Sequence, residues 1–384
     1  MYDRGEVACH LCFNDQVLRD WIKEEASLGR GKCPWCGRRG HLIYLTQLSE
    51  HFRKVVDELY TEASGWKATD RGERIGDLLD YQWRIFSEEL VNDRQELAVD
   101  ILTADLRQKE MLFDYPDYDT GLFYPRELSL EEDWDAKASA VLTGVLPEPP
   151  NPEMMGEQRE LFGQFVIVFE DLAVSFKPEQ QGSLFRARVY DDREHKERYT
   201  AEELGAPPRE KVKAGRANQA QQPVLYLANN RSTALAEVRP WKGAAVAIAE
   251  VKVKQRLSLV DLSQVPPVKS PFFEDLLKWR IDVAVLLYRL GQDMSRPVMP
   301  HEQEILYKPT QLLALMIQAT DYDGCIYPSA MGSGKNYVLF DTQAAEVLNI
   351  EHVRVRSATF FSKPLGCHEE IYEEGPYDHM VKRR

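Results

Sequence analysis

The chain reads as an α+β protein, with an N-terminal helical domain that carries a zinc knuckle and a C-terminal mixed α/β domain. Three observations predict this. Two Cys-x2-Cys pairs stand near the N-terminus, apolar residues recur at helical spacing from Thr46 to about Leu142, and short apolar runs punctuated by Gly, Pro and Asn follow from about Gly182. The expected division is 1–45 for the zinc-knuckle segment, 46–146 for the helical domain, 147–180 for a linker and connecting helix, and 181–365 for the C-terminal domain.

Composition sets limits on function. The 384 residues suffice for two or three domains, and 43% hydrophobic with 29% charged residues is ordinary for a globular protein. With 62 acidic against 48 basic residues the formal charge is −14, which disfavours a broad nucleic-acid or membrane surface. Local basic clusters such as Arg38-Arg39 stay open. No apolar run is long enough for a bilayer span and the start, MYDRGEVACH, lacks an apolar signal core, so a cytoplasmic location is expected.

Cys9-x2-Cys12 and Cys33-x2-Cys36 form two knuckles that can place four thiolates around one structural Zn2+. Pro34 and Gly37 suit the tight turn of the second. Four thiolates close the coordination sphere, which argues against a catalytic metal. Between the knuckles, 14–27 predicts a helix with Val17, Leu18, Trp21 and Ile22 on one face. Cys325 and Cys367 read as ordinary core or surface cysteines.

Farther on, Leu48, Phe52, Val55, Val56 and Leu59 predict one helix. Ile75, Leu78, Leu79 and Phe86 predict another, and Leu97, Ile101, Leu102 and Leu106 a third. Ser129-x-x-Glu132 is a capping-box pattern opening a further helix. Leu146 to Gly156 is proline-rich and reads as a linker, and 156–177 resumes a helical pattern. The charged stretch 191–216 reads as a flap or insertion.

The second half is organised around Pro223 to Pro240, PVLYLANNRSTALAEVRP, which predicts a strand, a turn at Asn229-Asn230 and a short helix capped by Ser232 or Thr233 and carrying Glu237. Strands are expected over 244–253, 257–262, 325–327, 337–340 and 353–360, with helices over 272–290 and 309–319. The GSGK of Gly332 to Lys335 fails as a phosphate loop: Ser329 stands where the first glycine belongs, and Asn336 where a Ser or Thr would meet magnesium.

GSLFRAR (Gly182 to Arg188), GRANQAQQP (Gly215 to Pro223), the LYLA strand, the TALAE helix and YPSA with NYVLF, in that order, resemble the RES domain. By that resemblance Arg186, Glu237 and Ser329 are the residues that give the family its name, and the fold resembles the ADP-ribosyltransferase fold. The resemblance implies NAD+ as substrate, cleaved at the nicotinamide-ribose bond. Nicotinamide leaves readily, so the transition state is an oxocarbenium ion that a buried Glu237 carboxylate would stabilise. Arg186 and Arg216 would hold the pyrophosphate, whose charge an acidic protein must offset locally. Ser329 would hydrogen-bond ribose or nicotinamide, Tyr226 would stack on the nicotinamide ring, and Asn336 would steady the loop after Ser329. Arg188 is expected on the other strand face, towards solvent.

The GR turn reads GRANQAQQP, where the family's toxins have a tryptophan-bearing GRWN, so one wall of the pocket differs from theirs. The helical half resembles the HEPN-like domains that precede some RES domains. An Arg–His ribonuclease pair is not evident: Arg4 and His10 straddle the first knuckle, and His51 has no arginine at the required distance. The leading reading is a toxin-like NAD+ glycohydrolase or phosphorylase of a toxin–antitoxin or phage-defence system, restrained by an antitoxin or regulatory protein, by its own helical half, by another chain, or not at all, with a homo-oligomer left open. ADP-ribosyl transfer to a protein or nucleic acid, and a non-catalytic zinc-ribbon adaptor, are the alternatives.

Overall fold

A computed structural model of the chain describes residues 2–63, 72–106, 115–126, 130, 134, 165–166, 168–190, 199–264, 268, 270–296, 298–299 and 301–357. The Ser129/Glu132 capping box, the linker 146–156, the start of the helix expected from Gly156, and Cys367 lie outside the described residues. Two compact units emerge, one from Met1–Leu128 with Pro267–Asp282, the other from Ser129–Pro266 with Val283–Gly375.

In the first unit β1 (Val7–Cys9), β2 (Arg30–Lys32) and β3 (Arg39–Tyr44) form an antiparallel sheet in the order β1-β3-β2. Between β1 and β2 runs α1 (Gln16–Glu25), whose N-terminus is capped by Asp15 accepting from the Leu18 N–H at 2.7 Å. Leu18 and Ile22, four apart, are buried; Val17, expected on the same face, is 40% exposed because one residue back turns it about 100° away. The helix α2 (Leu45–Leu59) buries Leu48, Phe52, Val55, Val56 and Leu59, as the spacing predicts. Its Phe52 ring stacks on Phe272 at 4.5 Å and meets Phe13 and Phe86, an aromatic centre for this unit.

The expectation of helix throughout 46–142 needs correction. Strands β4 (Tyr60–Glu62), β5 (Glu73–Arg74) and β6 (Leu122–Pro125) make a second small sheet in the order β4-β6-β5; β4 and β5 precede α3 (Ile75–Trp83), and β6 follows α4 (Arg94–Thr103). Glu62 pairs with Phe123, far along the chain. A strand of two to four residues held by such a partner leaves no periodicity to read.

The second unit is built on an eight-stranded sheet, order β14-β10-β8-β9-β13-β12-β11-β7. Its strands are β7 (Ala173–Phe176), β8 (Leu184–Tyr190), β9 (Leu225–Ala228), β10 (Ala245–Val253), β11 (Leu257–Asp261), β12 (Gly324–Pro328), β13 (Lys335–Leu339) and β14 (Ala345–Arg354). Only β11 and β12 are parallel, so the sheet is mixed. The helices are α5 (Pro178–Gln181), α6 (Ala201–Leu204), α7 (Arg231–Glu237), α8 (Leu277–Asp293), which begins in the first unit, α9 (Gln303–Leu306) and α10 (Lys308–Ala319). Three boundaries differ from expectation, the first being the helix expected over 272–290, which is α8 from Leu277 to Asp293. The helix expected to Lys177 gives way to β7 at Ala173, and the last strand is β14 rather than 353–360, because its pairing partner along β10 extends from Ala245 to Val253.

Side-chain alternation sorts the sheet into two faces. Leu184, Leu225, Leu227, Ala247, Ala249, Ile326 and Leu339 share one core with Leu204 of α6. On the other face Phe185, Ala187 and Val189 pack with Val246, Ile248 and with Leu235 and Val238 of the α7 region. Arg186 and Arg188, two residues apart, therefore share a face, which corrects the expectation that Arg188 turns away from Arg186.

Candidate functional site

Glu237 ends α7, a seven-residue helix whose N-cap is Asn230 rather than Ser232 or Thr233. Asn230 Oδ1 accepts from the Thr233 N–H at 2.8 Å and from the Ser232 hydroxyl at 2.7 Å, so the turn asparagine itself satisfies the helix start. At the far end the Glu237 carboxylate meets two donors: Ser329 Oγ at 2.6 Å and Asn336 Nδ2 at 2.7 Å. Both fall on Oε1, and among the described residues nothing bonds Oε2. Glu237 is exposed, not buried as expected, while Asn336 is buried.

Ser329 serves the turn as well as the carboxylate. Its hydroxyl oxygen accepts from Met331 N at 3.2 Å and Gly332 N at 3.1 Å, and its own N–H donates to Gly334 O at 3.0 Å. With the two amides aimed at its lone pairs, the hydroxyl proton points to Glu237. The GSGK segment runs into β13, and the loop sits on the start of α7. A Cβ at Gly334 would stand 2.3 Å from Thr233 Oγ1 and 2.3 Å from Asn229 Oδ1, and one at Gly332 3.1 Å from Thr233 Oγ1. Asn229 Oδ1 accepts from the Lys335 N–H at 3.0 Å, which ties the loop's exit to the same turn.

Tyr226 and Arg216 lie on the Glu237 side of the sheet, since Tyr226 pairs with Val338 in alternation with Ala228 and Asn336. The Tyr226 hydroxyl accepts from the Ala217 N–H at 3.0 Å and donates to Asn218 Oδ1 at 2.8 Å, so it secures the GR-x-N turn; burial of that end pushes its phenol above the usual range. The Arg216 guanidinium donates to the carbonyls of Asp293 at 2.8 Å and of Arg296, and lies 5.1 Å from the Tyr307 ring centroid. Its fork is thus engaged with the backbone after α8.

Arg186 is on the opposite face. One guanidinium nitrogen donates to Gly205 O at 2.7 Å, and burial, then the neighbouring Arg188, lowers it to about 10. No carboxylate among the described residues pairs with it. The structure therefore brings together Glu237, Ser329 and Asn336, puts Tyr226 and Arg216 on their face, and sets Arg186 apart. Tyr327, buried at the end of β12, went unnoticed in the sequence. Burial first, then Tyr226, Cys325 and Glu237, hold its hydroxyl well above the tyrosine range, while Arg216 opposes them. Its one signal was its place two residues before Ser329.

In the first unit Cys9, Cys12, Cys33 and Cys36 converge, their sulfurs all within 4.8 Å of one another. The Cys9–Cys12 separation is 3.9 Å, and Cys9–Cys36 and Cys12–Cys33 are both 3.5 Å. Metal–sulfur bonds of about 2.3 Å require tetrahedral edges of about 3.8 Å, so the donor set fits a zinc-sized ion. Gly37, at φ +69°, makes the second knuckle's turn, and its N–H donates to Cys33 O at 3.0 Å. Hydrogen bonding with Cys12 pulls the Cys36 thiol to about 7 and holds Cys33 far below the thiol range. Gly40 lets β3 approach, since a Cβ there would stand 2.9 Å from Cys9 Sγ. Cys325, by contrast, is a buried core thiol pushed to about 12 by burial.

The ribonuclease candidates are occupied otherwise. Arg4 pairs with Asp93 at 2.7 Å, His10 Nδ1 accepts from the His41 N–H, and His51 packs against Trp21 and Phe273.

Residues 184–360 match the model of the RES domain family, and the chain carries a RES domain over that span. No curated protein sequence matches the chain. A chain of the M. tuberculosis MbcT-MbcA toxin-antitoxin complex aligns over 49% of this chain and 91% of its own, at 13% identity. Its TM-score is 0.29. No described helix is long and apolar enough to cross a membrane.

Proposed function

We propose that this protein is an NAD+-consuming enzyme that cleaves the nicotinamide-ribose bond, with Glu237 as the group that stabilises the ribosyl oxocarbenium ion. The observation that carries this reading is the state of the Glu237 carboxylate. Two neutral donors fix Oε1 while Oε2 is left unbonded by the described residues, which aims one anionic oxygen outward without neutralising it. As the glycosidic bond breaks, its electron pair leaves with nicotinamide, positive charge spreads over ribose C1′ and the ring oxygen, and the outward oxygen faces that charge. Water or phosphate then adds at C1′, and the proton it sheds passes to solvent.

Exposure qualifies the electrostatics. A carboxylate in water is screened, so its effect depends on the bound nucleotide displacing that water. Arg216, on the same face, supplies positive charge for the pyrophosphate, and Arg186 carries that assignment by family resemblance. Ser329 and Asn336 act as positioning groups for Glu237. The four cysteines hold a structural Zn2+, and a toxin–antitoxin setting, with an antitoxin as partner, follows from the RES family alone.

The test is nicotinamide release from NAD+ by the purified full chain, with and without phosphate, comparing wild type with Glu237→Gln. Loss of one preorganised electrostatic group costs about 10² to 10³ in rate, or about 3 to 4 kcal/mol. Because Glu237 is exposed, the variant should melt at the wild-type temperature. Equal turnover by the two proteins would remove Glu237 from the mechanism, and phosphate dependence would divide phosphorolysis from hydrolysis.

A further inference from the structure

The sequence between Glu25 and Glu50 contains no acidic residue, although the chain as a whole is strongly acidic. It contains Arg30, Lys32, Arg38 and Arg39, and all four are exposed. The β2–β3 register explains how they gather. Arg30 stands opposite His41, Gly31 opposite Gly40 and Lys32 opposite Arg39. Arg30, Lys32 and Arg39 thus share one face of the ladder, and Arg38 flanks them at the knuckle turn.

The other face is the glycine side. A Cβ at Gly31 would stand 2.6 Å from Leu42 Cδ1, and one at Gly40 2.9 Å from Cys9 Sγ, so this face is closely packed. The hairpin is therefore a thin ribbon, packed beneath against Leu42 and Cys9 and cationic above. None of the four cations makes an ion pair with a described residue.

Folding gains nothing from this arrangement. Like charges directly across a ladder, as Lys32 and Arg39 are, destabilise it. In a chain with more acids than bases, a local run of unpaired cations is the reverse of what net charge would place there.

We infer that the exposed face of this hairpin is a docking surface for a nucleic-acid backbone. Three of the four cations are guanidinium forks, which match phosphate oxygens in pairs. Cross-strand neighbours lie about 5 Å apart and same-strand neighbours on one face about 7 Å, a spacing that reaches successive phosphates. A two-stranded ribbon is also a shape that a duplex major groove admits. The contacts are to phosphates, so binding is indifferent to sequence and steeply salt-dependent.

The experiment is fluorescence anisotropy of the zinc-loaded full chain with fluorescein-labelled duplex DNA and, separately, a single-stranded RNA, both of mixed sequence, over about 50 to 200 mM salt. Four phosphate contacts give a log–log slope of about −3 to −4, an affinity loss on the order of 10² across that range. Arg30→Gln with Lys32→Gln should about halve the slope on at least one of the two probes, and Arg30→Glu with Lys32→Glu should abolish binding. Lys252→Gln, exposed on β10, should leave the slope unchanged. Zinc content and melting temperature show whether each variant is folded, and the Gln pair should melt no lower than wild type.

The proposal is overturned by absence of binding to either probe at about 50 mM salt, or by a slope indifferent to the Gln pair. It is also overturned if labelled polyglutamate binds through these residues and neither nucleic acid does, which would make the surface one for acidic proteins. None of these outcomes depends on NAD+ turnover.

Discussion

The cysteine cluster and the Glu237 cluster are both small polar constellations, but they are assembled in opposite ways. Four sulfurs come from within 28 residues and lie largely buried against a three-stranded sheet. Glu237, Ser329 and Asn336 are joined across 92 and 99 residues of chain, and the acid at their centre is exposed. The first arrangement closes on itself and leaves no open position. The second keeps one carboxylate oxygen free. A closed, local cluster serves a fold, whereas an open one assembled over long range through a sheet can serve a substrate.

The largest effect should come from opening the closed cluster. Structural zinc in small domains contributes about 10 to 16 kcal/mol of binding free energy, and stripping it with a strong chelator should remove hydrogen-exchange protection from the β1-β3-β2 sheet. Retained protection after complete zinc loss would mean that the hydrophobic contacts of Leu18, Ile22 and Leu42 suffice. Next comes Ser329→Ala, which deprives Glu237 of one donor and the loop amides of their acceptor. A hydrogen bond to a charged group is worth about 1.5 to 3 kcal/mol, so nicotinamide release should fall about 10- to 100-fold. A change confined to KM would indicate that Ser329 meets substrate instead of orienting Glu237.

Arg186→Met sharpens the contrast between the two faces of the RES sheet. A half-buried cation with a single backbone acceptor costs the fold, so an apolar side chain of similar length should stabilise by up to about 1 kcal/mol, read as a higher melting temperature. If turnover also falls at least tenfold, Arg186 is retained for substrate. Unchanged turnover would assign phosphate contact to Arg216 alone. The smallest effect is expected at Thr233, whose buried hydroxyl has no partner among the described residues. Thr233→Val should raise stability by about 1 kcal/mol and leave the Glu237 contacts intact.

What was legible in the sequence follows the same division. The knuckles were legible because ligand spacing is local, and the strand–turn–helix around Glu237 because its punctuation lies within eighteen residues. The common face of the arginines was legible too, because Phe185-Arg186-Ala187-Arg188-Val189 alternates apolar with charged and residues two apart on a strand look the same way. What no local pattern marks is which partner strand that face meets, and the register with β10 sets Arg186 opposite Ala249. The engagement of Arg216 with carbonyls beyond α8 was equally hidden, since nothing local marks a donor fork whose acceptors lie 77 and 80 residues away. The short strands of the first unit escaped for want of length.

The loop that presents Ser329 alternates between two kinds of position. Gly332 and Gly334 are pressed against Thr233 and Asn229, whereas Met331 and Ser333 are exposed. Two positions are therefore closed to variation and two are open to it. A library built to retune what enters this site can diversify 331 and 333 freely while the glycines keep the seat, and natural drift in the family should follow the same alternation.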